Sequence, residues 1–342
     1  MGILWVNVLV LSMLFSSKVQ CKRIYLDAKK IPMKRIVLST LCLLYSVITF
    51  GQVKDFKVLA YVPSWKPDLV ATIPYSKLTH INFAFLSLYA DGSLRSFEQT
   101  FFLEEVVQKA HAHNVKVMIS VGGWELGDGG GVDDAFEEMA SKKKTRQRFV
   151  KQLSAFVESY KLDGVDIDWE FPDQPKSGVY FDTLMMDLWH EFHPKNKLVT
   201  CALVPSDFNG KYINPTSFEY MDFLNIMAYD GGEPHSSYQY GVEAVNYWVG
   251  RGLPKEKAIL GLPFYGRSKS GGQMAYNEIV GMDKNAAQKD LVADQEYNGQ
   301  PTIRKKTIFA LQNAGGVMFW EMSQDTFDEN SLLKVIDEEV KK

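Results

Sequence analysis

The stretch of residues 162–171 constrains the fold of this chain more than any other part of it. Its sequence, LDGVDIDWEF, alternates acidic and apolar residues with the period of two that is typical of a β-strand. Alternate residues of a strand share one face, so Asp166, Asp168 and Glu170 are predicted to point the same way. The large apolar residues between these acids then point the other way, against a covering layer of the protein.

Three carboxylates on one face of an apolar strand raise one another's pKa, because like charges repel and burial disfavours the charged form. We therefore predict that at least one of them holds a proton near neutral pH. The spacing alone leaves two functions open. One is a divalent metal site, and the other is acid catalysis with Glu170 as proton donor. A solvated strand edge fits poorly, since large apolar residues flank every acid.

Apolar, strand-like runs alternate with amphipathic, helix-like segments from residue 56 onward. Eight runs are predicted as strands: 58–65, 78–88, 115–123, 164–171, 198–204, 223–230, 258–266 and 316–323. The helix-like segments between them include 101–112, 144–160, 180–192, 240–251 and 302–313. This alternation favours an α/β fold of the parallel (β/α)8 type, the TIM barrel. No glycine-rich phosphate motif follows the first strand, which counts against a dinucleotide-binding fold.

Active sites of such barrels lie at the carboxyl ends of the strands. In this chain polar and aromatic residues collect at the predicted strand ends, as a carbohydrate-binding cleft would require. They include Trp65, Trp124, Glu170, Asp207, Tyr229, Asp230, Arg267 and Trp320. The formal net charge of −3 over 342 residues leaves no basic excess for binding nucleic acid.

Near the N-terminus, Met33-Lys34-Arg35 precedes an apolar run, 36–48, and then residues 49–52. This order is typical of an export signal, and the run is too short for a transmembrane helix. We interpret residues 1–52 as a leader, with a signal peptide at 33–51 and an over-extended start at 1–32. Residues 53–342 are interpreted as one barrel domain. The mature protein is predicted to be extracellular, or periplasmic in a bacterium, and free of the membrane.

The pattern Asp163-x-x-Asp166-x-Asp168-x-Glu170 resembles the signature of glycoside hydrolase family 18, the chitinases and their relatives. Five more segments resemble motifs on the second, third, sixth, seventh and eighth strands of that family. They are Asn82-Phe83-Ala84-Phe85, Ser120-Val121-Gly122-Gly123, Met227-Ala228-Tyr229-Asp230, the run 261–267 and the run 315–321. The segments occur in the order of the family's strands and cover nearly all of residues 56–330.

The resemblance implies a mechanism in which the substrate assists its own cleavage. Glu170 is implied as the general acid, and the substrate's 2-acetamido oxygen as the nucleophile. Asp168 would hold the acetamide nitrogen, Asp166 would share a proton with Asp168, and Tyr229 would hydrogen-bond the acetamide oxygen. Glu170 would then act as base toward water, with retention of configuration.

The resemblance also implies substrate contacts and supporting residues. Trp320 would form the floor under the distorted sugar, and Asp230 would contact a sugar hydroxyl. Judged singly, Tyr229 and Trp320 fit an aromatic core equally well. The other expected cleft residues are Tyr61, Phe83, Gly123, Trp124, Met227 and Arg267. The expected structural supports are Asp163, Ser120 and Gly122.

Chitin or N-acetylglucosamine oligosaccharides are the expected substrate and partner, cleaved at β-1,4 linkages by a monomer without cofactor or metal. Two alternatives remain: an endo-β-N-acetylglucosaminidase that cuts glycoprotein glycans, and a non-catalytic, lectin-like relative, which the presence of Glu170 disfavours. Many family members carry a sizeable insertion between the seventh and eighth strands. Residues 268–301 leave room for a short insertion or none, which predicts an open, shallow cleft.

Overall fold

The structure, a computed structural model, describes residues 56–124 and 134–342. The leader assigned to residues 1–52 lies outside the described residues, so the signal peptide and the start of the domain at residue 53 stay predictions. Among the described helices none is long and apolar enough to cross a membrane.

The strands of the described residues form two sheets, a closed barrel and a small separate sheet. In chain order they are β1 (Lys57–Pro63), β2 (His80–Leu86), β3 (Lys116–Gly122), β4 (Gly164–Asp168), β5 (Leu198–Leu203), β6 (Phe223–Ile226), β7 (Ala258–Pro263), β8 (Tyr265–Ser268), β9 (Gln273–Ala275), β10 (Leu291–Val292), β11 (Gln295–Glu296) and β12 (Gly316–Trp320). Strands β1 to β7 pair in parallel with their sequence neighbours, and β12 closes the barrel between β7 and β1. The predicted (β/α)8 barrel is confirmed.

Helices cover the outside of the barrel. They are α1 (Thr100–Ala112), α2 (Asp134–Ser141), α3 (Lys143–Ser159), α4 (Pro175–Phe192), α5 (Asp207–Gly210), α6 (Tyr238–Gly250), α7 (Tyr276–Met282), α8 (Gln300–Asn313) and α9 (Leu332–Val340). Two connections lack a long helix. The link from β1 to β2 contains only 3-10 turns, and the link from β5 to β6 contains the one-turn α5 and the 3-10 turn Pro215–Tyr220.

Strand β4 has one apolar face and one acidic face, as its alternating sequence predicts. Val165, Ile167 and Trp169 are fully buried in the outer layer, between barrel and helices. There the Trp169 ring stacks on Phe136 of α2, with ring centroids 5.2 Å apart and an angle of 8°. Burying an indole of this size stabilises a fold by roughly 3–5 kcal/mol. This packing fixes the face of β4 that carries the acids, and that face is turned into the barrel.

Between β7 and β12 the chain forms a four-stranded antiparallel sheet in the order β10-β11-β8-β9. The short helix α7 comes directly after β9 in the chain. This sheet is the insertion that the sequence left uncertain: it is short, and it is present. Strand β8 begins two residues after the end of β7, so the sheet grows directly from the carboxyl end of the barrel. It places Arg267 and Gln273 in the wall of the cleft described below.

Candidate active site

The carboxyl ends of the barrel strands surround an open cleft of about 820 Å³. Residues far apart in the sequence line it together. Of the predicted site residues, the lining includes Tyr61, Gly122, Trp124, Asp168, Glu170, Met227, Tyr229, Asp230, Arg267 and Trp320. The structure therefore brings most of the predicted site into one cavity.

Asp166 lies inside the barrel and is fully buried. Its Oδ2 accepts hydrogen bonds from the hydroxyls of Tyr61 and Ser120, both at 2.8 Å. Its Oδ1 accepts from the hydroxyl of Thr200 at 2.6 Å and from the amide of Asn225 at 3.0 Å. Burial raises the pKa of Asp166, and these four donors offset part of that rise. Since both oxygens already have partners, the proton shared with Asp168 stays a prediction.

Asp168 lies next on the same face and borders the cleft. It is 4% exposed, and its buried Oδ1 has no hydrogen-bond partner among the described residues. Burial raises the pKa of Asp168 well above its usual range, and the charges of Glu170 and Asp166 raise it further. A buried polar oxygen without a partner is costly. Asp168 is therefore prepared to accept a hydrogen bond from a donor that enters the cleft.

Glu170 is half-buried in the cleft wall, just beyond the end of β4. Burial and the negative charge of Asp230 raise the pKa of Glu170 to about 7. A carboxyl group with this pKa is protonated in a large fraction of molecules at neutral pH, which is what a general acid requires. The prediction that one of the three acids holds a proton agrees with these pKa values.

Asp230 has the opposite electrostatic environment. The Nε of Arg267 donates to its Oδ1 at 2.6 Å. Burial would raise the pKa of Asp230, but the hydrogen bond and the positive charge of Arg267 outweigh it and hold that pKa below its usual range. Asp230 is thus negatively charged at neutral pH beside Glu170, and Arg267, which was expected only as a cleft residue, holds its carboxylate in place.

Tyr229 and Met227 follow β6 and face the barrel interior. Met227 is buried in the inner apolar cluster, against which Tyr229 packs, and the Tyr229 hydroxyl lies 4.0 Å from the sulfur of Met318. Burial and the charges of Asp168 and Glu170 raise the pKa of Tyr229 well above its usual value. The hydroxyl therefore keeps its proton and can donate a hydrogen bond into the cleft.

Aromatic rings form one side of the cleft around Trp320. Its ring stacks on Phe85 at 5.6 Å and 19°, and the Tyr61 ring lies 5.5 Å away. Trp65 continues this surface at 6.4 Å from Trp320 and is 54% exposed. Trp124 also lines the cleft and is 59% exposed. Flat rings exposed in this way bind the apolar faces of sugars.

The prediction that Phe83 lines the cleft is wrong. Phe83 is fully buried in the outer layer, edge-on to Phe102 at 5.0 Å. Phe85 takes the expected place in the cleft. Strict alternation would put both rings on one side of β2. However, the pairing register with β3 shifts between Ala84 and Leu86, and this irregularity turns Phe85 inward.

Gly122 and Gly123 both serve the backbone, whereas Gly123 was predicted to contact substrate. Their φ values are +118° and +85°. A Cβ on Gly122 would lie 2.2 Å from the carbonyl oxygen of Asp168, and one on Gly123 would lie 2.5 Å from the Phe85 ring. The backbone nitrogen of Gly123 donates to the same Asp168 carbonyl at 2.9 Å. Glycine is required here so that β3 can approach the acids closely.

Asp163 lies at the opposite end of β4 from the cleft. Its Oδ2 accepts from the backbone nitrogen of Val117 at 2.7 Å and contacts His111 at 2.8 Å. These contacts brace the start of β4 against β3 and α1, in agreement with the structural role predicted for Asp163.

The profile described as Glycosyl hydrolases family 18 matches residues 57–325. The chain belongs to glycoside hydrolase family 18. A solved chitinase from Bacteroides thetaiotaomicron is 32% identical with a TM-score of 0.75, over 83% of this chain and 96% of that one. A GH18 chitinase from Flavobacterium johnsoniae is 31% identical with a TM-score of 0.74, over 84% of this chain and 94% of that one.

Among curated proteins, "Probable chitinase 2" of Drosophila melanogaster is 26% identical in an alignment of 371 positions that covers 83% of this chain and 75% of that protein. This family 18 chain therefore spans three quarters of that Drosophila protein and nearly all of the two bacterial chains, whereas it spans 53% of Chitotriosidase-1 from Mus musculus. Thr200 and Asn225 are among the site residues that escaped prediction, and both donate to Asp166. The pairing of β5 with β4 places Thr200 directly beside Asp166, and this neighbouring position is the signal by which Thr200 could have been found.

Proposed function

We propose that this family 18 protein is a secreted, monomeric chitinase that hydrolyses β-1,4 linkages between N-acetylglucosamine units with retention of configuration. One observation carries the proposal. A glutamic acid with a pKa of about 7 stands beside a buried aspartate oxygen that has no hydrogen-bond partner in residues 56–124 and 134–342, in a cleft lined by aromatic rings. The first group can give a proton, and the second can receive the N–H of an acetamido group.

In the first step Glu170 donates its proton to the glycosidic oxygen, and the bond from that oxygen to the anomeric carbon breaks. The carbonyl oxygen of the substrate's own 2-acetamido group attacks the anomeric carbon and forms a cyclic oxazolinium ion. Asp168 accepts a hydrogen bond from the acetamide N–H and stabilises the positive charge of the ring. The Tyr229 hydroxyl donates to the acetamide oxygen and holds it in line for the attack.

In the second step Glu170, now ionised, removes a proton from water. The water oxygen attacks the anomeric carbon, the oxazolinium ring opens, and the configuration is retained because two inversions have taken place. Glu170 regains its proton and the acetamido group is restored. Holding an internal nucleophile in line lowers the barrier by up to about 7–11 kcal/mol where the alignment is good.

The aromatic lining favours a linear polymer as substrate. Trp65, Trp124 and Phe208 follow three different strands, β1, β3 and β5, and are 54%, 59% and 71% exposed. Rings placed at separate points of the cleft suit a run of successive sugars, whereas a single N-acetylglucosamine linkage in a glycan needs fewer such faces. The short insertion leaves the cleft open, so we propose non-processive cleavage.

Digestion of defined substrates tests this function. The protein would be incubated with N-acetylglucosamine oligomers of increasing length and with a high-mannose glycopeptide, and the products identified by mass spectrometry. Cleavage of the oligomers is expected. Cleavage of the glycopeptide alone would replace the proposal with an endo-β-N-acetylglucosaminidase. Binding of oligomers without any cleavage would replace it with a lectin-like function.

The proposed acid predicts a pH profile. Glu170 must hold a proton to start the reaction, so kcat/KM is expected to fall as the pH rises through about 7, the pKa of this group. The charge of Asp230 raises that pKa, and therefore Asp230→Asn should move the alkaline limb to lower pH. Initial rates on a soluble oligomer between pH 4 and 9 would measure the alkaline limb in the wild type and in the variant. An alkaline limb that stays in place in the variant would contradict the electrostatic coupling.

A further inference from the structure

His235 is a buried side chain beside the cleft that has no part in the mechanism proposed above. It is 5% exposed and lies in the loop between β6 and α6. Its Nε2 lies 3.2 Å from the backbone nitrogen of Asp230 and 3.7 Å from Oδ1 of the same residue. The ring therefore meets both the backbone and the carboxylate of a residue in the catalytic cleft.

The neighbours of His235 fix the tautomer of its ring. The backbone N–H of Asp230 can only donate, so Nε2 must be the acceptor without a hydrogen. Nδ1 lies 3.3 Å from the carbonyl oxygen of Glu296, which can only accept, so Nδ1 carries the hydrogen. The backbone N–H of His235 also donates to Oε2 of Glu296 at 2.8 Å. Glu296 of strand β11 in the insertion thus holds His235 at two points, its imidazole and its backbone N–H.

Asp230 has a conformation that needs such support. Its φ of +56° lies in the left-handed region, which is unfavourable for a residue with a Cβ. Arg267 holds the carboxylate through Oδ1 at 2.6 Å, while His235 holds the backbone N–H. Together the two contacts determine where the carboxylate of Asp230 stands, and its charge acts on Glu170 from that place.

The other end of the same loop is anchored by a buried lysine. Lys306 of α8 donates from Nζ to the carbonyl oxygen of Ser236 at 2.6 Å, to its hydroxyl at 2.9 Å and to Oδ1 of Asn298 at 2.7 Å. The Ser236 hydroxyl donates in turn to the carbonyl oxygen of Ala228 at 2.6 Å, next to Tyr229. These hydrogen bonds hold the backbone next to His235, and they thereby restrict where its ring can lie relative to Asp230.

We propose that His235 is a positioning residue, which connects the insertion sheet to the catalytic centre by holding Asp230 through its Nε2. This inference rests on the proposed hydrolase activity, because the effect on catalysis passes through Asp230. The titratable groups that face the imidazole are Asp230, Glu296 and Tyr265, whose ring lies 5.4 Å away. Arg267 lies on the far side of Asp230 and contacts its carboxylate.

A double-mutant cycle separates this role from a merely structural one. His235→Leu should lower kcat/KM on an N-acetylglucosamine oligomer roughly tenfold, the factor expected for the loss of one buried hydrogen bond. His235→Gln, whose side-chain oxygen can accept at the place of Nε2, should recover activity to within about threefold of wild type. In the Asp230→Ala background His235→Leu should have less than about a twofold effect. His190→Leu, an exposed histidine on α4, is the matched control and should leave activity unchanged.

A second measurement does not depend on turnover. Nitrogen-15 NMR of the full protein labelled at histidine should show His235 as the Nδ1–H tautomer. If the wild type cleaves no oligomer, the proposed function fails. The NMR measurement of the tautomer then still tests whether Nε2 of His235 accepts the hydrogen bond from Asp230. An Nε2–H tautomer overturns the inference. Equal losses from His235→Leu in the wild-type and Asp230→Ala backgrounds also overturn it, as does a His235→Gln variant no more active than His235→Leu.

Discussion

Glu170→Gln is expected to lower kcat on N-acetylglucosamine oligomers roughly 10²–10⁴-fold, the contribution typical of a positioned general acid. Glutamine has nearly the same shape but no proton that it can transfer to the glycosidic oxygen. Oligomer binding should persist, because Trp320, Trp65 and Trp124 supply the aromatic faces of the cleft. Single-turnover rates and titration calorimetry with the same oligomer would measure the two properties separately.

Glu105→Gln is the matched control for this change. Glu105 lies on α1, is about half exposed and pairs with Lys109 one turn away, so the substitution removes a carboxylate that does not line the cleft. Its kcat should equal that of the wild type. Retention of more than about a tenth of the wild-type kcat in Glu170→Gln would exceed the range expected for a lost general acid and would remove Glu170 from that role.

The barrel could be predicted from sequence because its strands are buried on both faces and bounded by amphipathic helices. The strand ends could not. The run 223–230 reads as one strand, yet β6 ends at Ile226. Apolar and aromatic residues such as Met227 and Tyr229 follow because they line the cleft. Their composition resembles that of a buried strand, although the strand has already ended. Strand β12 ends at Trp320 and not at residue 323 because the chain turns into the 3-10 helix Met322–Gln324, which Glu321 caps.

The insertion was hard to predict for a different reason. Strands β10 and β11 have two residues each, and β9 has three, so none of them is long enough to show an alternating pattern. Periodicity needs several residues to be distinguished from chance. The hairpins β8–β9 and β10–β11 are joined into one sheet by the pairing of β11 with β8, whose residues lie far apart in sequence. Single-sequence patterns carry little information on such contacts.

In the site, the acids of β4 could be placed from sequence because strand parity fixes their common face. Phe83 and Phe85 could not be told apart, since the register shift in β2 depends on its neighbour β3. His235 gave no signal either. It lies in an irregular loop, and its importance comes from the backbone of Asp230 and a carbonyl group of Glu296, which no residue pattern reveals.

Asp168→Asn is the second substitution with a large expected effect, a loss of roughly 10²–10³-fold in kcat. Burial and the neighbouring acids favour the protonated form of Asp168 in the free protein. A positive charge beside its Oδ1 reverses this balance, because the ionised form then gains a partner at close range. Asparagine can still accept a hydrogen bond from the acetamide N–H, but it cannot supply the negative charge that the oxazolinium ion requires.

A stable thiazoline analogue of the cyclic intermediate isolates this effect from proton transfer. Asp168→Asn should bind the analogue at least about tenfold more weakly than wild type, the factor that about 1.4 kcal/mol of lost charge interaction represents. Glu170→Gln should bind it nearly as well as wild type, because the analogue has no leaving group to protonate. Equal binding by Asp168→Asn and wild type would mean that Asp168 does not face the acetamido group. The unpartnered Oδ1 would then need another explanation.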